Sequence, residues 1–151
     1  MNNRQYDVSQ WHAMEQNIFQ HMGLRFVMES DGTYRTWAPL NDKTGNHVGT
    51  FHAAFQFALA EAIGGIVTFE NRASESYVPL VKHVSMDFKK PATTDLFAIT
   101  RFTDQDVDTM NQAMQENGRF DFTLAIDIQD LDGKTVSVMT AVYAIRQFDP
   151  A

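Results

Sequence analysis

The sequence predicts an α+β fold in which a long antiparallel sheet encloses one apolar helix. Three observations carry that expectation. Residues 51–63 hold only three polar residues among thirteen, His52, Gln56 and Glu61. Ala and Leu favour helix, and a helix apolar nearly all round must be buried nearly all round. Phe120, Phe122, Leu124, Ile126 and Ile128 alternate with Asp121, Thr123, Ala125, Asp127 and Gln129, the pattern of a half-buried antiparallel strand. Asp130-Leu-Asp-Gly133 forms a hairpin turn, and 135–145 returns from it with Val136, Val138 and Val142 on one face. In a chain of 151 residues, the natural cover for such a helix is a sheet wrapped around it.

The other elements follow in order. Residues 9–22 read as a first helix. Ser9 is its N-cap, Trp11, Met14, Ile18 and Met22 fall at helical spacing, and Gly23 ends it. Two short strands, 24–28 and 33–39, flank the turn Ser30-Asp31-Gly32. Residues 41–46 have loop chemistry, and Thr50 can cap the central helix. Residues 80–88 form a strand with Leu80, Val84, Met86 and Phe88 on one face, and 96–103 form another. Val107, Met110 and Met114 mark a short surface helix over 105–117, ended by Gly118. The chain reads as a single domain, 1–151. The exposed edges of such a sheet are commonly covered by dimerisation.

Composition excludes several functions. The chain has no cysteine, hence no disulfide, thiolate metal site or Cys nucleophile. Its net charge of −7 argues against nucleic acid as a partner, which needs a basic footprint. Any polyanionic ligand must therefore meet a local basic cluster. The N-terminal residues Met1–Gln5 are polar, without the apolar run of a signal peptide. The most apolar stretch, 51–67, is broken by His52, Gln56 and Glu61 and reads as too short and polar to span a membrane. A cytoplasmic location is the default expectation. His21, His47, His52 and His83 are scattered, with no metal-ligand spacing. There is no Gly-rich phosphate loop and no Gly-x-Ser-x-Gly elbow.

Glu61 is the sharpest candidate for chemistry. A carboxylate among Leu59, Ala60, Ala62 and Ile63 must be paired, hydrogen-bonded or held at a polar pocket. Perturbed carboxylates cluster at active sites, although an exposed helical stripe would also accommodate it. His52 lies in the first turn of the same helix. The backbone N–H groups of Ala53 and Ala54 are free to point outward there as oxyanion donors. Packing against the preceding loop is the alternative for His52. Nine positions separate His52 from Glu61, which places them on opposite helix faces. Composite sites at a two-fold interface would bring both to one substrate. Asn46 could orient a carbonyl or a water, but an ordinary Gly-Asn turn explains it better. Lys89 and Lys90 close a strand and could contact phosphates, or simply be solvated. Arg72 and Arg119 are weaker candidates of the same kind.

The segment from Asn46 through Gly49-Thr50 and His52-Ala53-Ala54 to Glu61 resembles the signature of hotdog-fold thioesterases of the phenylacetate-degradation (PaaI-like) type. That signature has Asn, Gly-Thr, His-Gly-Gly, then Asp or Glu nine residues after the His. Residues 84–92, ending in Pro91-Ala92, are similar to the strand that follows, and an uncharacterised side branch fits better than the founding members. The resemblance implies a hotdog fold and hydrolysis of acyl-CoA or acyl-carrier-protein thioesters by a homodimer or a pair of dimers. It implies no cofactor beyond the CoA moiety of the substrate. Glu61 would activate water or attack the carbonyl, and the Ala53 N–H of a neighbouring subunit would hold the oxyanion. Asn46 and His52 would position the carbonyl or water. Gly49, Thr50 and Ala54 would line the substrate site, and Lys89 and Lys90 would lie near the CoA phosphates. Two departures stand out. Alanines replace both glycines after His52, and Val81 occupies the place of a water-positioning Ser or Thr in some relatives. His83 and Ser85, read as lying on the same strand face as Val81, could substitute. A non-catalytic acyl-CoA or fatty-acid binding protein is the second reading. A hotdog dehydratase ranks below it, because no Gly-His-Phe-Pro signature is present.

Overall fold

A computed structural model describes residues 7–149; the expectations about Met1–Gln5 lie outside those residues. After a 3-10 turn at Val8–Gln10 come β1 (His12–Ala13), α1 (Asn17–Met22), β2 (Arg25–Met28), β3 (Thr33–Ala38), α2 (Ala53–Asn71), β4 (Tyr77–Phe88), β5 (Leu96–Arg101), α3 (Asp104–Asn117), β6 (Arg119–Gln129) and β7 (Thr135–Gln147). The strands form one sheet in the order β1-β2-β3-β5-β6-β7-β4, with every pairing antiparallel. The central helix α2 packs against β3, β4, β5, β6 and β7. This is the α+β, wrapped-helix arrangement that the sequence predicts.

The expected first helix breaks in two. The Asp7 carboxylate accepts from the Ser9 N–H at 2.9 Å, closing a 3-10 turn rather than starting an α-helix. His12 and Ala13 then pair with β2. Only 17–22 is α-helical, ending at Gly23 with φ +68°. The spacing of Trp11 has another cause, for its ring meets Phe97 edge-on at 5.8 Å.

The central helix starts later and ends later than expected. Its N-cap is His52, not Thr50, and the His52 Nδ1 accepts from the Ala54 N–H at 3.0 Å. It then runs through Gly64-Gly65 to Asn71. Each glycine costs a helix about 1 kcal/mol relative to alanine, and Gly64 has a structural reason. The buried Tyr143 ring lies where its side chain would be, so that a Cβ there would sit 2.0 Å from a ring carbon. The Tyr143 hydroxyl donates to the Glu61 carbonyl at 2.9 Å. At 19 residues, α2 is long and apolar enough to cross a membrane by length and composition alone, contrary to the sequence expectation. It is instead the core helix of this sheet, with Leu59, Ile63, Ile66 and Val67 buried. One stripe stays uncovered: Ala54, Phe57, Glu61, Gly65 and Phe69 are exposed or half-buried. The expectation of burial all round therefore fails within one chain.

β6 alternates as predicted, with Phe122, Leu124, Ile126 and Ile128 buried. In β7 the buried face is Ser137, Met139, Ala141, Tyr143 and Ile145. A register shift opposite Ile128 and Gln129 buries Val136 as well, so Val136 does not share a face with Val138 and Val142. α3 starts at a capping box between Thr103 and Asp106 and buries Met110 and Met114.

β4 has a bulge at Lys82, since Val81 pairs with Tyr143 and His83 with Val142. Antiparallel partners point to the same side of a sheet, and an extra residue reverses the phase. Val81, Val84 and Met86 therefore face the α2 side. Leu80, His83 and Ser85 face outward. This corrects two expectations: Leu80 does not share a face with Val84, and His83 and Ser85 do not share one with Val81. Lys82 Nζ reaches Asp121 Oδ2 at 2.9 Å, and Arg146 Nη1 reaches Asp121 Oδ1 at 2.8 Å. Hydrogen bonds from Arg146 and then Lys82 hold the Asp121 carboxyl at about 2. Asp121→Asn is expected to lower stability at neutral pH by less than about 1 kcal/mol, because these partners are solvent-screened. That loss should vanish as the medium is acidified through about pH 2, where the native carboxylate is itself protonated. Urea titrations at neutral and strongly acid pH would check both limits.

Candidate active site

Glu61 sits midway along α2, half-buried, beside a cavity of about 210 Å³ lined by Met14, Phe19, Gly65, Phe69 and Pro79 among others. Among the described residues, no hydrogen-bond donor or cation partners its carboxylate. Burial pushes its pKa upward, with no compensating charge. Its main chain is fixed from the opposite side by the Tyr143 hydroxyl. Burial, and then the nearby Glu61 charge, raise the pKa of that hydroxyl, so it acts as a donor. A half-buried carboxylate kept unpaired is equipped to take a proton.

A second cavity, of about 450 Å³, opens at the start of α2. It is lined by Asn46, Thr50, Ala53, Gln56, Lys89 and Lys90 among others. The approach to the helix is stitched down by Phe51 N–H to Ala92 O and His52 N–H to Thr44 O, both at 2.8 Å. In the first turn, the Phe55 and Gln56 N–H groups return to the His52 carbonyl, and the Ala54 N–H is taken by His52 Nδ1. The Ala53 N–H is left without an acceptor among the described residues. Of the two donors expected at this helix start, Ala53 is therefore free and Ala54 is spent.

The remaining expected residues divide clearly. Asn46 Oδ1 accepts from the Val48 and Thr50 N–H groups (3.1 and 3.0 Å), and its Nδ2 donates to Thr50 Oγ1 at 2.8 Å. Gly49, at φ +80°, completes that turn. The side chain of Asn46 is thus committed to its own loop. His52 is exposed and lines neither cavity. Its ring lies edge-on to Phe55, which stacks on His21. Lys89 and Lys90 are exposed at the cavity rim. His83 and Ser85 lie on the outer sheet face, away from both cavities. Arg72 is engaged by the carbonyls of Glu75 and Tyr77, both at 3.0 Å.

Gln56 is a residue that sequence reasoning passed over. It is buried, its Nε2 donating to Phe51 O at 3.0 Å and its Oε1 accepting from Ser137 Oγ at 2.8 Å. It ties the helix start to β7. The signal was available, since an amide between Phe55 and Phe57 must be hydrogen-bonded if buried.

The two cavities remain separate within one chain. Ala53 and Glu61 are eight residues apart on α2, about 12 Å along the axis, too far to meet at one carbonyl.

A family profile described as "Domain of unknown function (DUF4442)" matches residues 8–145. The chain belongs to the DUF4442 family. No curated protein matches this DUF4442 chain, but solved structures do. A protein of unknown function from Pseudomonas aeruginosa, PA5026, named a probable thioesterase, is 27% identical with a TM-score of 0.77, over 86% of this chain and 87% of that one. A protein of unknown function from Chlorobaculum tepidum is 21% identical (TM-score 0.74, 87% and 86% covered). The thioesterase HI1161 from Haemophilus influenzae is 16% identical (TM-score 0.71, 88% and 85% covered). The DUF4442 chain therefore has the hotdog fold of such thioesterases.

Proposed function

We propose that this DUF4442 protein hydrolyses acyl-CoA thioesters at sites shared between two copies of the chain. The unpartnered, half-buried Glu61 carboxylate carries this reading. Glu61 removes a proton from water as the water oxygen bonds to the thioester carbon. The partner subunit's Ala53 N–H stabilises the oxyanion. Collapse breaks the carbon–sulfur bond, and the proton held by Glu61 passes to the departing thiolate, leaving a carboxylic acid and free CoA. Lys89 and Lys90, at the cavity that Ala53 lines, give CoA phosphates local cations on a chain of net charge −7. The motif Asn46, Gly49-Thr50, His52, Glu61 supports the phenylacetate-degradation type.

The dimer is supported by the end of the sheet. β4 is its last strand, twelve residues long, with Leu80, Val81 and Phe88 exposed at 51%, 44% and 52%. Such an edge is a liability unless paired. A second copy of β4 would cover it and extend the sheet across a two-fold axis.

The test is thiol release from a panel of acyl-CoAs, with Ala53→Pro as the diagnostic variant. Ala53 is the first helical residue, where proline is well tolerated. His52 before it is already extended at φ −63°, ψ 138°, as proline requires. The variant removes one N–H and little else. Turnover is expected to fall by about 10²–10³ with the melting temperature nearly unchanged. Full turnover in this variant would discard Ala53 as the oxyanion donor. The binding-only reading is favoured by the Cβ atoms of Ala53 and Ala54 beside the reacting position. Tight acyl-CoA binding without thiol release would establish it.

A further inference from the structure

The cavity beside Glu61 is built in a way that limits its contents. Glu61, Gly65 and Phe69 stand four residues apart on the uncovered stripe of α2, roughly one turn each. They form a floor running from the carboxylate to an aromatic ring. At Gly65 a Cβ would meet only the Phe69 ring, at 3.7 and 4.0 Å, so the missing side chain is what leaves the hollow. Met14, Phe19 and Pro79 line it as well. Phe69 has one neighbour that orients it. The Arg72 guanidinium lies 4.7 Å from its ring centroid and is itself fixed by the Glu75 and Tyr77 carbonyls. This contact favours the rotamer that sets Phe69 at the end of the cavity.

Building on the proposed hydrolase reading, we propose that this cavity selects one compact acyl group, with Gly65 and Phe69 setting the limit and Arg72 positioning Phe69. A closed apolar cavity of about 150 Å³ accepts a benzene ring; this one, open to solvent and lined by Gln16 and Glu61 as well as by apolar side chains, measures about 210 Å³. It therefore takes a single aromatic ring or a chain of about six to eight carbons, counting each carbon at roughly the 30 Å³ of a water. A long fatty acyl chain would have to run past Phe69 and leave the cavity.

The experiment compares kcat/KM for acetyl-, hexanoyl-, phenylacetyl- and dodecanoyl-CoA in the full-length protein. Hexanoyl and phenylacetyl esters are expected to lead. Phe69→Ala should raise the dodecanoyl-to-hexanoyl ratio by about tenfold or more, the scale on which hydrophobic pockets discriminate. Arg72→Ala should move the ratio in the same direction by less, an effect that a purely structural role would not produce. Gly65→Ala, which adds one methyl without a clash, should lower hexanoyl and phenylacetyl relative to acetyl. Ratios unchanged in Phe69→Ala and Gly65→Ala while hydrolysis persists would overturn the inference and leave the hydrolase reading standing. Calorimetric binding of non-hydrolysable thioether analogues of the same series separates the two further. A length preference in binding that shifts with Phe69, without turnover in the native protein, would support the pocket and remove the hydrolase. No length preference in either assay would overturn the pocket.

Discussion

Glu61→Gln is expected to abolish thiol release and, at neutral pH, to make the folded protein more stable. The first effect follows from removing the one carboxylate that lines the cavity among the described residues. General bases contribute about 10²–10⁴ in rate, so residual turnover should lie at least two orders of magnitude below the native protein. The second effect follows from the missing partner. Burial raises the Glu61 pKa above its unfolded value, so the folded state holds its proton more tightly than the unfolded chain does. In the window between those values, native stability falls as pH rises. Above the folded value the ionised carboxylate destabilises the fold in full; below the unfolded value the penalty is gone. Glutamine carries no charge at any pH. Its advantage should therefore be greatest at neutral pH and fade on acidification into the ordinary carboxylate range. Denaturation curves of both proteins across that range check the sign. A Gln variant less stable at neutral pH would mean that the carboxylate has a stabilising partner. Native turnover in that variant would end the proposed mechanism.

Gly64→Ala and Gly65→Ala make the same chemical change at adjacent positions and should act in opposite directions. At Gly65 the new methyl makes only ordinary contacts, and the helix gains up to about 1 kcal/mol from alanine. At Gly64 the methyl would overlap the Tyr143 ring, which is buried and cannot step aside without disturbing the core. Overpacking costs about 1–3 kcal/mol. A shifted Tyr143 also loses its hydrogen bond to the Glu61 carbonyl, another ~0.5–1.5 kcal/mol. These losses exceed the helical gain. Gly64→Ala is expected to lower the melting temperature by several degrees, at roughly 2–4 °C per kcal/mol for a chain of this size. Thermal unfolding of both variants reads the contrast. A stabilised Gly64→Ala would show that the Tyr143 ring is not confined.

Much of the fold was legible in the sequence because the strongest signals were periodic and long. The alternation from Phe120 to Ile128 and the apolar run around Leu59 each point to one solution. The errors fall where a local event overrides periodicity. Trp11 and Met14 sit at helical spacing, yet a 3-10 turn closed by Asp7 starts a strand there. The bulge at Lys82 and the shift opposite Gln129 insert residues that no alternation pattern displays, so the faces of β4 and β7 were misassigned beyond them. The candidate site was legible as residue types: Glu61 in an apolar helix and a free N–H near His52. Hydrogen bonds hid the rest. Asn46 and Ala54 are spent on neighbours, and Gln56, equally visible in the sequence, was noticed only as an interruption.

The bulge at Lys82 also bears on how two molecules could join. An edge strand of constant phase can slip by two residues and still present the same face to a neighbour. β4 cannot, because sliding past residue 82 would exchange inward and outward side chains. A copy that docked along this margin would meet a keyed rail, and that notch would set the spacing between the paired molecules.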